Sequence, residues 1–236
     1  MRHRVLGLVP ARGGSKGIPR KNARKVGPKY LLQYTSDTAH EADCFANLVL
    51  STEDDEIAHI GEECGLEVLF MRPAELAADN TPMLDVVQHA VSTLEQMSKT
   101  FDAVCLLQPT SPLRSATTIK RCIEKLFTSD ADSVVSLSPV PVEFNPHWAY
   151  FRDDRDFIHI ATGEKYPISA RQFLPPAFHR DGNVFVVRTS VLLRENSLYG
   201  ARTIGVVSPQ QEVLDLDTPE QWAQLEEIMR SRSVKS

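Results

Sequence analysis

The chain has 236 residues, enough to bury the core of one α/β domain with room for a small extension. Hydrophobic residues make up 42% and charged residues 24%, an ordinary globular balance, and the formal net charge of -5 argues against a general nucleic-acid binder. No run of about 18 apolar residues occurs, so no membrane span is expected. The N-terminal MRHRVLGLVPA has too short an apolar stretch, cut by Pro10, to read as a signal peptide.

Predicted strands alternate with predicted helices in chain order, the pattern of a Rossmann-like α/β fold with a mostly parallel sheet and helices on both faces. Val5–Val9 is the first strand. A helix is expected from about Tyr30 to Ala42, then a strand at Asn47–Ser51. Thr52 to Cys64 reads as helical and stops at Gly65. Glu67–Met71 reads as a short strand. Met83, Val86, Val87, Ala90, Val91, Leu94 and Met97 recur at helical spacing and give one apolar stripe. Asp102–Leu107 is an apolar central strand ending at Gln108-Pro109. The next amphipathic helix carries Ile119, Cys122, Ile123, Leu126 and Phe127, with Ser115 as N-cap. Ser133–Leu137 is a further strand.

From Pro139 to Phe178 the rhythm breaks into a proline- and aromatic-rich stretch with no helical period. It is too long for a simple loop, so it needs structure of its own or a partner; a β-flap over the site is the alternative to an interface. The expected organisation is an α/β domain of 1–138 and 179–236 with 139–178 inserted. Val184–Val187 and Thr203–Val207 return to the sheet. Thr218-Pro219-Glu220-Gln221 opens the last helix with a capping box, and Trp222, Leu225 and Ile228 face the core. Arg230–Ser236 reads as a frayed polar tail. Cys44, Cys64, Cys105 and Cys122 lack zinc spacing or a C-x-x-C, which suits a reducing cytoplasm.

The loop after the first strand, ARGGSKGIPRKN, carries the strongest chemistry. From Arg12 to Lys29 there are seven basic residues (Arg12, Lys16, Arg20, Lys21, Arg24, Lys25, Lys29) and no acidic one. Glycines such as Gly13 and Gly14 let consecutive backbone N–H groups, with Ser15, converge on an anion, and the cations neutralise a polyphosphate. Neither G-x-x-x-x-G-K-[ST] nor G-x-G-x-x-G is present, so this is not the common NTPase or dinucleotide loop. A solvated basic loop is the competing reading.

Asp215 and Asp217 in VLDLDTP are two apart, so an extended backbone puts both carboxylates on one face and Leu214 and Leu216 on the other. Such a pair can hold Mg2+ together with substrate phosphates, although Asp217 could instead support the following helix. Gln108 follows a central strand, where open α/β sheets bind ligands, and its amide suits sugar hydroxyls. Arg114 is expected to close that loop. No hydrolase signature occurs, and no nucleophile has a visible base partner.

ARGGSKGIPRKN, followed in order by LSTEDDEIA, RPAELAADNTP, LLQPTSPLR, RQFLPPAF and DLDTPE, resembles the acylneuraminate cytidylyltransferases over nearly the whole chain. The resemblance implies a fold of the nucleotide-diphospho-sugar transferase type and CTP and an acidic keto-sugar as substrates. It also implies Mg2+ on Asp215 and Asp217, and a homodimer built by the 139–178 excursion. Arg12, Lys16, Lys21 and Asp217 would act at the phosphates, with Gly13, Gly14, Ser15, Asn22, Arg72 and Thr81 around the nucleotide. Gln108 and Arg171 would hold the sugar, Arg171 by its carboxylate. Two departures stand out: Pro82-Met83 where the family has a Ser–Ser pair, and His179-Arg180 with the positive charge displaced by one residue. Transfer to an eight-carbon ulosonate, GMP transfer, and a non-enzymatic nucleotide-binding subunit are the alternatives.

Overall fold

The computed structural model describes residues 3–233. In chain order the elements are β1 Val5–Pro10, β2 Lys25–Val26, β3 Lys29–Tyr30, α1 Leu31–Ala42, β4 Asn47–Ser51, α2 Asp55–Glu63, α3 Met83–Gln96, β5 Ala103–Leu106, α4 Ala116–Phe127, β6 Ser133–Pro139, β7 Tyr150–Arg152, β8 Ile158–Ile160, β9 Phe178–Arg188, α5 Thr189–Arg194, β10 Thr203–Val207 and α6 Pro219–Ser233. Six strands form one sheet in the order β10-β6-β9-β5-β1-β4. Every neighbouring pair is parallel except the two made by β9, which runs against both β5 and β6.

β1 is apolar throughout because both faces of the sheet are covered. Val5 and Val9 meet α1, α2 and α4, while Leu6 and Leu8 meet α3 and α5. A third apolar patch joins Ile18, Leu31, Leu113, Leu214 and Leu216 to Trp222, Leu225 and Met229 of α6, with Ile228 partly buried against it. The Ser115 hydroxyl accepts the Thr118 N–H at 3.2 Å and caps α4. Thr218 and Gln221 bond reciprocally at the start of α6, Gln221 N–H to Thr218 Oγ1 at 3.3 Å and Thr218 N–H to Gln221 Oε1 at 2.9 Å. Gly65, at φ +83, ends the turn after α2 in the left-handed region.

Three expectations change. Glu67–Met71 makes only one bridge, Val49 to Glu67, and the Glu67 carboxylate also accepts from Asn47 and the Leu48 N–H. The Val184–Val187 strand is the latter part of the 11-residue β9 and is antiparallel, since the excursion before it returns the chain to the same end of the sheet that β6 left. Helix α6 continues through Arg230 to Ser233, so that part of the expected tail is helical; Val234–Ser236 lie outside the described residues.

The excursion leaves and rejoins the sheet at one place, Pro139 being paired with Phe178. Between them lie 3-10 turns and the antiparallel β7–β8 ribbon. Phe144, Phe151, Phe157, Tyr166 and Phe173 are 62–71% exposed there. Among the described residues no helix is long and apolar enough to cross a membrane.

Ile119 is fully buried on the inner face of α4. Ile119→Ala should therefore cost about 2–5 kcal/mol, read as a lower urea midpoint with an unchanged slope.

Candidate active site

Parallel strands bring the loops that follow β1, β4, β5 and β10 to one edge of the sheet, where open α/β sheets bind ligands. The β1 loop is shaped from behind by the turn after β4. The Glu53 carboxylate accepts the Gly13 N–H at 2.7 Å and the Arg72 guanidinium at 2.6 Å. Asp54 accepts Ile57 N–H at 3.0 Å and so caps α2; it and Glu56 also bind the Arg20 guanidinium. Hydrogen bonds from Arg20 hold the Asp54 carboxyl below the usual carboxylate range. A Cβ on Gly13 would meet the Asp54 carboxylate at 2.4 Å, so only glycine fits there.

On the other side the loop packs onto the segment after β10. A Cβ on Gly17 would lie 2.0 Å from the Asp217 carbonyl. Lys21 is buried; its ammonium donates to the Leu216 carbonyl and, at 3.1 Å, to Asp217 Oδ1. Leu214 and Leu216 are buried while Asp215 and Asp217 turn outward, the alternation their spacing predicts. The Leu216 N–H donates to the Thr110 carbonyl at 3.2 Å and ties this segment to the loop after β5. Partial burial, and then the neighbouring Asp217 charge, push the Asp215 carboxyl up. Buried Arg114 donates to the Gln108 carbonyl and fixes that loop; burial brings its guanidinium down to about 10.

Two adjoining cavities result. The first, about 430 Å3, is lined by Arg12, Ser15, Lys16, Lys21, Asn22, Arg72 and Asp217, among others. The second, about 420 Å3, contains Asp215, His179, Arg180 and Tyr199. Gln108 and Met83 line both. Each has the size of a small-ligand site. Asp79 reaches across to Arg12 at 2.8 Å and Lys16 at 2.7 Å, and the Lys16 ammonium lowers its carboxyl.

Lys16 and Asp217 thus share a cleft. Asn22 lines it while its amide donates to the Arg12 carbonyl at 3.0 Å. Gly14 is exposed with open space beside it, and Gly13 has its N–H engaged by Glu53. Arg72 faces the first cavity but is buried and paired with Glu53. Two expected residues lie elsewhere. Thr81 donates to the Glu75 carbonyl at 3.3 Å within its own turn, outside both cavity linings. Arg171 is exposed in a 3-10 turn of the excursion and also lines neither.

His179 and Arg180 both line the second cavity, although neighbours on a regular strand point to opposite faces. The register between β6 and β9 shifts between Val135 and Leu137, so an irregular stretch of β9 directly follows Arg180. Arg180 donates to the Tyr199 hydroxyl, and Tyr199 packs edge-on against Phe185 at 5.1 Å. Glu53 and Tyr199 escaped the sequence reading. An acidic cluster, TEDDE, directly after a strand that neighbours a basic loop was the available signal for Glu53; Tyr199 had none.

None of the four cysteines is in a disulfide, and burial pushes the Cys105 thiol well up and Cys122 to about 12, which leaves these two poor nucleophiles.

A family model described as Cytidylyltransferase matches residues 6–234. The CMP-N,N'-diacetyllegionaminic acid synthase of Legionella pneumophila is 30% identical over 96% of this chain and 96% of its own length. The pseudaminic acid cytidylyltransferase of Campylobacter jejuni is 29% identical, over 90% of each chain. Among solved structures, a CMP:2-keto-3-deoxy-manno-octonic acid synthetase complexed with CTP superposes with a TM-score of 0.72 at 16% identity, covering 97% of this chain and 99% of that one, a likeness of fold.

Removing Glu53 would leave Arg72 buried without its carboxylate. Glu53→Ala should cost about 3 kcal/mol in urea unfolding, whereas Arg20→Ala, which breaks a pair open to solvent, should stay within about 1 kcal/mol.

Proposed function

The chain belongs to the cytidylyltransferase family, and on that footing we propose that it transfers CMP from CTP to the anomeric hydroxyl of a nonulosonic, sialic-type acid, releasing pyrophosphate. The observation that carries this reading is the pair of adjoining cavities: cations and Asp217 in one, Asp215 and Arg180 in the other, and Gln108 between them. The first takes the nucleotide. Arg12, Lys16 and Lys21 bind its phosphates and stabilise the charge that builds on the departing pyrophosphate. Ser15, Asn22 and the Gly13-Gly14 backbone surround the triphosphate, and Arg72 borders it as a cation already fixed by Glu53. The second cavity takes the sugar, with Gln108 on its hydroxyls. Arg180 lines that cavity and suits the sugar carboxylate, the role expected of Arg171, which is exposed on the excursion and lines neither cavity.

Asp215 and Asp217 suit Mg2+. They project from one extended segment toward the two cavities, and among the described residues no cluster of three or more His, Cys, Asp or Glu could enclose an ion. Two carboxylates with the balance supplied by phosphates and water is how Mg2+ is usually held. Bound there, it supplies charge neutralisation and orients the reacting oxygens. The protein's own part is positioning: the Gly17–Asp217 contact sets the phosphate loop against the acidic segment.

Asp79 occupies Arg12 and Lys16 where phosphate oxygens would be received, so it has to withdraw as the triphosphate enters. The exposed aromatics of the 139–178 excursion support a homodimer formed through that face. Use of CTP and four cysteines that form no disulfide support a cytoplasmic enzyme.

A pyrophosphate-release assay over CTP and GTP against a panel of nonulosonates tests the reaction; turnover with neither nucleotide would remove it. Lys16→Ala and Asp217→Ala should each lower kcat by about 100- to 1,000-fold with the melting temperature unchanged, and near-native rates in both would sink the mechanism. Asp79→Asn should lower the KM for CTP by about threefold, the scale of a released exposed ion pair, with kcat little changed. Phe151→Ser with Phe157→Ser should shift the sedimentation coefficient to that of a monomer.

A further inference from the structure

Behind the two cavities the protein buries an arginine and an aspartate that the proposed reaction does not use. Arg114 lies in the turn between β5 and α4, and Asp181 lies in β9. They are 4% and 5% exposed. Arg114 donates through Nη2 to the Gln108 carbonyl at 2.5 Å, but its Nε and Nη1 have no hydrogen-bond partner among the described residues. Asp181 Oδ1 accepts the Ser136 hydroxyl and, at 3.0 Å, the Asn183 N–H, while Oδ2 is buried without a partner.

A buried guanidinium needs a counter-charge, because an unpaired ion in the interior is strongly destabilising. Burial lowers Arg114 to about 10, so it is still a cation near neutral pH. Two groups act on that charge, the Cys105 thiol and Asp181. Burial pushes the Cys105 thiol well up and keeps it protonated, which leaves Asp181 as the anion.

Ser111 is near both. It is fully buried, and its carbonyl accepts the Arg114 N–H at 3.4 Å. Its hydroxyl also lacks a partner, and it faces β9 at the residue after Asp181: a Cβ on Gly182 would lie 3.2 Å from Ser111 Oγ. Gly182 sits at φ +74, so glycine serves both the backbone and the close approach. One hydroxyl can accept from a guanidinium and donate to a carboxylate at the same time. A donor, a hydroxyl and an acceptor, each without another partner, are thus brought to one buried seam between the β5 loop and β9. Gln108, at one end of that seam, lines both cavities, whereas Asp181 lines neither.

Resting on the reading of Gln108 as a contact to the sugar, we infer that Asp181 is a positioning residue: through Ser111 it orients Arg114, which in turn sets Gln108 for the acid sugar. Without the carboxylate, the arginine loses the charge that holds it inside, and the Gln108 carbonyl loses a fixed donor.

The experiment measures pyrophosphate release with CTP, Mg2+ and the best-used member of the nonulosonate panel. Asp181→Asn keeps an acceptor for Ser136 and Asn183 and removes the charge. It should raise the KM for the sugar about tenfold, within the range that a misplaced positioning group costs. Both kcat and the KM for CTP should stay within about twofold, because Arg12, Lys16 and Lys21 stand on the β1 loop that Glu53 shapes. Gln108→Ala should raise the sugar KM by a similar factor. The double variant should match Gln108→Ala within about twofold, since Asp181 acts through that residue. Should Asp181→Asn fail to fold, Ser111→Ala takes its place in the same cycle with the same expected values. A lower melting temperature with a wild-type sugar KM, or losses that multiply in the double variant, would make Asp181 structural; either overturns the inference and leaves the proposed reaction standing. A wild-type sugar KM in Gln108→Ala also overturns it. Failure to turn over any member of the panel overturns the proposed reaction itself, and this inference with it.

Discussion

Seven cations between Arg12 and Lys29 with no acid among them would repel one another if left alone, and the architecture of the site follows from how that charge is divided. The turn after β4 takes the rear share. Glu53 holds Arg72 and the Gly13 N–H, while Asp54 and Glu56 hold Arg20. Lys29 is drawn off to Asp37 of α1, and Arg24 lies over the Trp222 ring. Arg12, Lys16 and Lys21 are the cations left facing the cleft. The same carboxylates that neutralise the loop also give it its curvature, since the Gly13 position admits no side chain against Asp54. Electrostatic compensation and backbone shape are here one device.

The acidic half of the site is built by hydrophobic means. Asp215 and Asp217 have no helix or strand beneath them; their direction is set by Leu214 and Leu216, which are sunk into the patch shared with Ile18, Leu31 and α6. Ile18 belongs to the phosphate loop itself. One apolar patch therefore carries both sides of the cleft, and the distance between cation and carboxylate is held by buried carbon instead of by the Lys21–Asp217 pair alone. The terminal helix, far from the cleft in sequence, contributes Trp222 and Leu225 to that foundation and has its own start fixed by the Thr218–Gln221 box, one residue beyond Asp217.

How much of this could be read in the residues depends on the range of the interaction. Period-two and period-3.6 patterns report whether a segment faces apolar surroundings, so β1, α3, α4 and the Leu214/Asp215/Leu216/Asp217 alternation were legible. Local hydrogen bonds were too: Ser115 at α4 and the box at α6. Strand direction was not, because the composition of Val184–Val187 is the same whichever way it runs; the antiparallel course of β9 is decided by the path of the excursion before it. Glu67–Met71 had strand-like residues but pairs with β4 at Glu67 alone. Arg171 and Arg180 show the limit most clearly. Motif matching picked the arginine in RQFLPPAF, whereas the arginine that lines the second cavity, Arg180, sits next to a register shift between β6 and β9 that no spacing in the sequence announces.

That bulge also separates two kinds of work in the site. Ser136 fills it, bonding the Asp181 carboxylate and both the N–H and the carbonyl of Val184, so β9 is locked where it turns from sheet to cavity wall. The first cavity draws on the end of β1 and its loop, on Arg72 and on the segment after β10, while the second draws on β6, β9 and the start of α3. Only Gln108 and Met83 belong to both, and Arg114 anchors Gln108 from within the core. On the proposed reading, the antiparallel strand and its bulge meet the sugar, and the loops at the ends of the parallel strands meet the phosphates.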